Sequence, residues 1–172
     1  MITPIASLLL AQAAAAQATP PPPPPCTGTE FTAFDFWVGD WDVYPNGRDT
    51  LVAHSKIEKL YAGCAIRENW MPLRGAGGGS LSGYDPKTQR WQQTWIGSSP
   101  GVVQFDGGPL EGAMVLTGPW AGSGPNGEDG LVRMTYSQVD NNAVRQLGEF
   151  SEDQGKTWQP SFDFIYRPHQ GD

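Results

Sequence analysis

Phe34, Trp37, Val38 and Trp41 recur at i, i+3, i+4, i+7, the spacing of one helical face. From Trp41 the period changes, and Trp41 and Val43 alternate with Asp42 and Tyr44 as side chains do along a strand. The pattern predicts a short helical plug, a change of direction at Gly39, and then the first strand of a sheet. Pro45-Asn46-Gly47 reads as a turn, because Asn-Gly supplies positive φ at little cost. Arg48 to Leu60 alternates loosely, with neither face cleanly apolar. Ala62 to Met71 predicts a strand with Cys64, Ile66, Glu68 and Trp70 on one face and Ala65, Arg67, Asn69 and Met71 on the other.

A hairpin follows, Leu81 to Tyr84 and Arg90 to Ser98, around Asp85-Pro86-Lys87-Thr88. Trp91, Gln93 and Trp95 share one face of its returning strand. Further strands are predicted at Val102 to Phe105, Leu110 to Leu116, Gly130 to Val139, Val144 to Ser151 and Phe162 to Arg167. Their connections are read as Asp106-Gly107-Gly108-Pro109, the loop from Gly118 to Asp129, Asp140-Asn141-Asn142 and Asp153-Gln154-Gly155. About ten short strands joined mostly as hairpins, with no long helical pattern, imply an all-β fold. A serial meander favours an up-and-down barrel, which removes its own edges by closing and can hold one small ligand.

Composition agrees: 22 glycines and 7 tryptophans in 172 residues suit short strands, tight turns and an aromatic interior. The formal net charge is −7 and the basic residues are scattered, so the clustered footprint of a nucleic-acid binder is missing. The amino terminus reads separately. Ile5 to Ala16 is apolar and Ala-rich, and Ala16-Gln17-Ala18 has the form of a signal-peptide cleavage site, although the leader carries no Lys or Arg. It is too short to span a membrane. The resulting division is a signal peptide over residues 1–18, a proline-rich spacer over 19–29, a barrel domain over 30–168 and a tail over 169–172. Export to a periplasmic or extracellular compartment makes a Cys26–Cys64 disulfide the expected state of the two cysteines.

Several chemistries fail on pattern. Arg74 to Ser80 is Gly-rich but completes neither Gly-Lys-Ser/Thr nor G-x-G-x-x-G, so it reads as a connection and not a phosphate loop. Gly78 to Gly83 misses G-x-S-x-G, and no helix follows it. The two histidines, His54 and His169, lie far apart in sequence and match no metal-binding spacing, so no metal and no cofactor is expected. His54 reads as a core or surface histidine, and His169, after Pro168, as a tail residue. Ser151-Glu152-Asp153-Gln154-Gly155-Lys156-Thr157-Trp158 fits the Asp-box hairpin S-x-D-x-G-x-T-W. There Asp153 accepts turn N–H groups, Gly155 takes a positive φ and Trp158 packs back.

Gly39-Asp40-Trp41 matches the G-x-W of the first strand in lipocalin-like (calycin) barrels. F-D-F-W-x-G-x-W, G-C-A-I-x-E-x-W, G-G-S-L-x-x-Y-D, R-W-x-Q-x-W and S-x-D-x-G-K-T-W follow one another here in one order. Together they resemble a family of secreted bacterial proteins of unknown function, placed with lipocalin-like barrels, over roughly residues 30 to 168. The resemblance implies a calycin-type barrel in which Arg167, from the last strand, lies across Trp41.

What remains is a polar and aromatic set on strand faces: Glu68, Trp70, Tyr84, Trp91, Gln93, Trp95, Arg133 and Gln146, with Glu149 nearby. A carboxyl and amides among indole rings suit a small-molecule pocket. In the opposing account the rings are packing and Glu68 pairs with Arg67, Arg133 or Arg145. The function expected is an exported binding protein for a small, largely apolar or aromatic ligand. Two alternatives are an isomerase- or cyclase-type enzyme using Glu68 as its proton-transfer group, and an envelope interaction domain with a filled barrel. The sequence names neither a ligand nor an oligomeric state.

Overall fold

A computed structural model describes residues 26–139 and 142–171. The predicted signal peptide and most of the proline-rich spacer lie outside the described residues. A single turn of helix, α1 (Thr29–Thr32), and a 3-10 turn over Asp35–Trp37 precede the strands. The strands are β1 (Gly39–Pro45), β2 (Ala53–Leu60), β3 (Ala65–Pro72), β4 (Gly78–Asp85), β5 (Arg90–Gly97), β6 (Val103–Leu110), β7 (Ala113–Trp120), β8 (Gly130–Gln138), β9 (Val144–Ser151) and β10 (Gln159–Pro168). Every neighbouring pair is antiparallel, and β10 returns to pair with β1, so ten strands close one up-and-down barrel. No helix among the described residues is long and apolar enough to cross a membrane.

Alternation places one face of each strand inside. Along β1, Trp41 and Val43 are buried while their neighbours are not, and β8 buries Val132, Met134 and Tyr136 in the same rhythm. The plug fills one end. Phe34 stacks on Trp37 with ring centroids 4.9 Å apart, and both rings press on Tyr136, at 5.0 and 4.8 Å. Phe34 and Trp37 are fully buried, and covering such side chains contributes about 1.5–3 kcal/mol each. The Trp91 indole, edge-on to Phe34, donates its N–H to the Glu30 carbonyl at 3.1 Å. Lys59 ties the plug to β2 through Asp35 and the Phe31 carbonyl. The Cys26–Cys64 disulfide is present, with a Cα–Cα separation of 4.9 Å, and anchors the chain ahead of the plug to the start of β3.

The loop read from Gly118 starts later, because Gly118, Pro119 and Trp120 belong to β7 and pair with Val132, Leu131 and Gly130. Two larger expectations change. Asp106-Gly107-Gly108-Pro109 is not a turn but part of β6, paired with Met114 to Thr117. The reversal falls instead at Glu111 and Gly112, with φ of 50° and 82°, between the paired residues Leu110 and Ala113. Glycine belongs inside this strand because a Cβ on Gly107 would overlap the Val115 carbonyl. The second change is Arg167. Tyr166 points inward, so strand parity sends Arg167 outward, to the face opposite Trp41. Its guanidinium lies 4.5 Å from the centre of the Tyr44 ring and bonds Asp49 at 3.1 Å. Trp41 itself is buried, meets Tyr166 edge-on at 6.4 Å, and donates its N–H to the Trp37 carbonyl at 2.9 Å.

The Asp-box hairpin follows its sequence reading. Asp153 accepts from the Ser151 hydroxyl, the Lys156 and Thr157 amides and the Thr157 hydroxyl at 2.7–3.0 Å, and Gly155 sits at φ +87°. The Thr157 hydroxyl and amide are the main causes holding the Asp153 carboxyl down at about 2. Trp158 donates to the Gly155 carbonyl and lies under Arg133, 4.3 Å from ring centre to guanidinium carbon.

Candidate functional site

The half of the barrel away from the plug is hollow. A cavity of about 160 Å³ is lined by Glu68, Trp70, Gln93, Trp95, Gln146 and seven residues from the later strands. Those seven are Phe105, Trp120, Met134, Tyr136, Phe162, Phe164 and Tyr166. The strand directions set its layers. Trp70, Trp95, Trp120, Phe162 and Phe164 lie toward the strand ends farthest from the plug and form an aromatic wall. Phe162 stacks on Phe164 at 5.4 Å, Trp70 leans on Phe164 at 5.7 Å, and Trp120 meets Phe105 edge-on at 6.0 Å.

Below this wall is a polar floor assembled by strand register. Glu68 on β3 stands opposite Ser80 on β4, whose hydroxyl donates to Glu68 Oε2 at 3.0 Å. Gln93 on β5 stands opposite Ser82 and donates to its hydroxyl at 3.0 Å. Gln146 on β9 stands opposite Tyr136 and donates to its phenol oxygen at 3.0 Å, while the Tyr166 hydroxyl donates to Gln146 Oε1 at 2.5 Å. Ser55 Oγ is buried without a hydrogen-bond partner of ordinary geometry, though it is close enough to Glu68 to pull that carboxyl's pKa down.

Electrostatics single out Glu68, which is only 6% exposed. Burial raises its carboxyl from 4.5 to about 7, and the Ser80 and Ser55 hydroxyls oppose that rise. No arginine offsets it: Arg67 pairs with Glu58, Arg133 with Glu149, and Arg145 with Asp163. The account in which Glu68 is the partner of one of those arginines is thereby excluded. Burial, and then the Glu68 charge, push the Tyr136 and Tyr166 hydroxyls well above 10. Near neutral pH the floor therefore presents a carboxyl that can hold or release a proton, beside two phenols that stay protonated.

Five of the eight residues expected in the pocket line it: Glu68, Trp70, Gln93, Trp95 and Gln146. The other three do not. Tyr84 packs against Phe31 of the plug at 5.3 Å, and Trp91 is buried beside Phe34 at the closed end, below the floor. Arg133 alternates with the inward-facing Val132 and Met134, so it lies outside the barrel with Glu149 and Trp158. Sequence reasoning missed the seven other lining residues, Tyr136 and Tyr166 of the floor among them. Both tyrosines sit at inward parity on strands that had been recognised, so alternation carried the signal.

A further convergence lies outside the barrel wall. His54 on β2 stands opposite Asp42 on β1, and His169 follows the end of β10 on the other side of β1. Both Nδ1 atoms lie 2.8 Å from Asp42 Oδ1. The reading of His169 as a loose tail residue is corrected, since its amide also donates to the Asp40 carbonyl at 2.9 Å.

No protein-family model matches the chain, and no curated protein matches it.

Proposed function

We propose that this barrel is an exported binding protein, of lipocalin-like kind, for a small aromatic molecule carrying one polar group. The observation that carries the reading is the layered cavity, with indole and phenyl rings at its wall and a hydrogen-bonding floor centred on Glu68. Its volume of about 160 Å³ limits the enclosed part of a ligand. A cavity of roughly 150 Å³ accommodates a benzene-sized guest, so one ring fits and anything larger projects through the mouth. The rings of the wall supply dispersion and edge-to-face contacts. The floor selects a guest whose polar group replaces water against Glu68, because an unpartnered polar atom there is costly. The Cys26–Cys64 disulfide supports export, as such bonds persist in oxidising compartments.

Intrinsic tryptophan fluorescence tests the reading. Titration with indole, phenol, benzoic acid and cyclohexanol should give saturable quenching or a spectral shift for the ring compounds. The response should vanish in a Trp70→Ala, Trp95→Ala variant. Equal responses in parent and variant, or none to any compound, refute it.

One observation favours a second reading, acid–base catalysis in the same cavity: a carboxyl held at about 7 is suited to both taking and giving a proton at neutral pH. A ligand found by titration would then lose an acidic C–H proton to deuterium in heavy water faster with the protein than with Glu68→Gln. Equal exchange leaves binding as the function.

A further inference from the structure

The chain has only two histidines, separated by most of its length, and both converge on a single carboxylate oxygen. Asp42 points outward from β1 between the inward-facing Trp41 and Val43, so this cluster is separated from the cavity by the barrel wall. Three different segments deliver it: β1 supplies Asp42, β2 supplies His54 by direct register, and the residue after Pro168 supplies His169. The imidazoles meet edge-to-face at 5.4 Å between ring centres, and one ligand atom from each of the three residues falls within 4.8 Å of the others. Asp42 is 15% exposed and each histidine 39%, so the cluster is reached from solvent while its carboxylate is mostly covered. It lies along a surface depression also lined by Asp40, Ser55, Lys56, Met71 and Gln170. Lys56 is engaged by Asp40 at 3.6 Å, which directs that cation to the neighbouring carboxylate and not to Asp42.

We infer that Asp42, His54 and His169 form a binding site for a divalent transition-metal cation, zinc or a borderline ion of similar preference. Two imidazoles and one carboxylate are the donor set such ions take, with remaining positions open to water or another ligand. The three ligand atoms already lie within 4.8 Å of one another. With metal–ligand bonds of about 2.0–2.2 Å, tetrahedral ligand atoms stand roughly 3.3 Å apart. The present 2.8 Å contacts open by about half an ångström as each neutral imidazole presents its Nδ1 lone pair and carries its proton on Nε2. His169 supplies a ligand from beyond the last strand, so the ion also clamps the end of β10 against β1. Magnesium and calcium, which prefer oxygen ligands, are excluded from the site by its two nitrogens.

Isothermal titration of untagged, chelator-treated protein with zinc sulfate tests the site, with magnesium chloride as control. One equivalent of zinc should bind, magnesium should not, and the melting temperature should rise with zinc. His54→Ala and His169→Ala should each weaken zinc binding at least about tenfold. Both substitutions remove partly exposed side chains, and Asp42→Asn provides a third variant that keeps the shape of the site. If zinc does not bind below millimolar concentration, or if either histidine can be removed without loss, the cluster is only a hydrogen-bonded clamp and the inference fails.

Discussion

Glu68→Gln should change how stability depends on pH. In the folded protein burial raises the Glu68 carboxyl to about 7, against 4.5 for an unhindered one. Between those values the native state holds a proton that the unfolded chain has released, so unfolding releases it and stability falls as pH rises. The contribution is fully present below about pH 4.5 and lost by the time pH passes about 7. A displacement of that size corresponds to about 3 kcal/mol. For a domain of this length that is on the order of 10 °C in melting temperature. Gln keeps the shape and accepts the Ser80 hydroxyl without titrating, so the variant lacks this component. Urea unfolding of parent and variant at half-unit steps from pH 4.5 to 8 isolates it as the difference between two curves. Taking the difference cancels every contribution that the two proteins share. Tyr136 and Tyr166, the nearest ionisable neighbours, stay protonated throughout. The gap should shift by about 3 kcal/mol in favour of Gln as pH rises. Parallel curves would show that Glu68 is effectively solvated and that the floor is not a low-dielectric site.

Other expectations concern the frame around the cavity. Cys64→Ser opens a loop spanning a sequence separation of 38 residues, for which chain entropy gives up to about 4 kcal/mol; denaturant midpoints of oxidised parent and variant measure the loss. Gly148→Ala places a Cβ into the Phe162 ring, so it should destabilise by about 1–3 kcal/mol and weaken ring-ligand binding together, read by melting and fluorescence titration. Asp153, held at about 2, contributes stability above the ordinary 3.8 that is lost as pH falls toward 2; Asp153→Asn should flatten that loss in the hairpin, followed by amide exchange at Lys156 and Thr157.

Strand parity carried most of what could be read beforehand. Glu68 with Trp70, and Gln93 with Trp95, were placed on common faces by alternation alone, and closing the barrel turned both faces inward. Parity says which face a residue takes but not how far along the axis it sits. Trp91 has the right face and lies at the plugged end, while Tyr84 packs on the plug itself. Arg133 took the wrong face because its strand had been recognised without being phased. The β6–β7 reversal was misplaced because Gly107, Gly108 and Pro109 look like a turn locally. The backbone approach that demands glycine there comes from the partner strand, which no local window contains. The same limit hid the histidines: His54 reaches Asp42 only through β1–β2 register, and His169 only because β10 returns to β1.

The two ends of the barrel meet different demands. At the plugged end, Phe34, Trp37, Trp41 and Trp91 pack closely, and the disulfide and Lys59 hold the plug down, so this half supplies stability. At the other end the barrel spends ring surface on lining a void, where a buried aliphatic side chain would contribute more to folding. The layer between them is the informative one. Gln146, Tyr136 and Tyr166 satisfy each other, as do Gln93 with Ser82, so these groups cost little once the register is formed. Glu68 is different, because among the described residues it is met by serine hydroxyls alone, Ser80 directly and Ser55 close by, and no cation answers it. A leucine or methionine there would remove the pH-dependent loss above pH 5 and pack against Trp70 without desolvating a carboxyl. Stability therefore does not account for Glu68, whereas the binding function proposed for the open half gives its carboxyl a role.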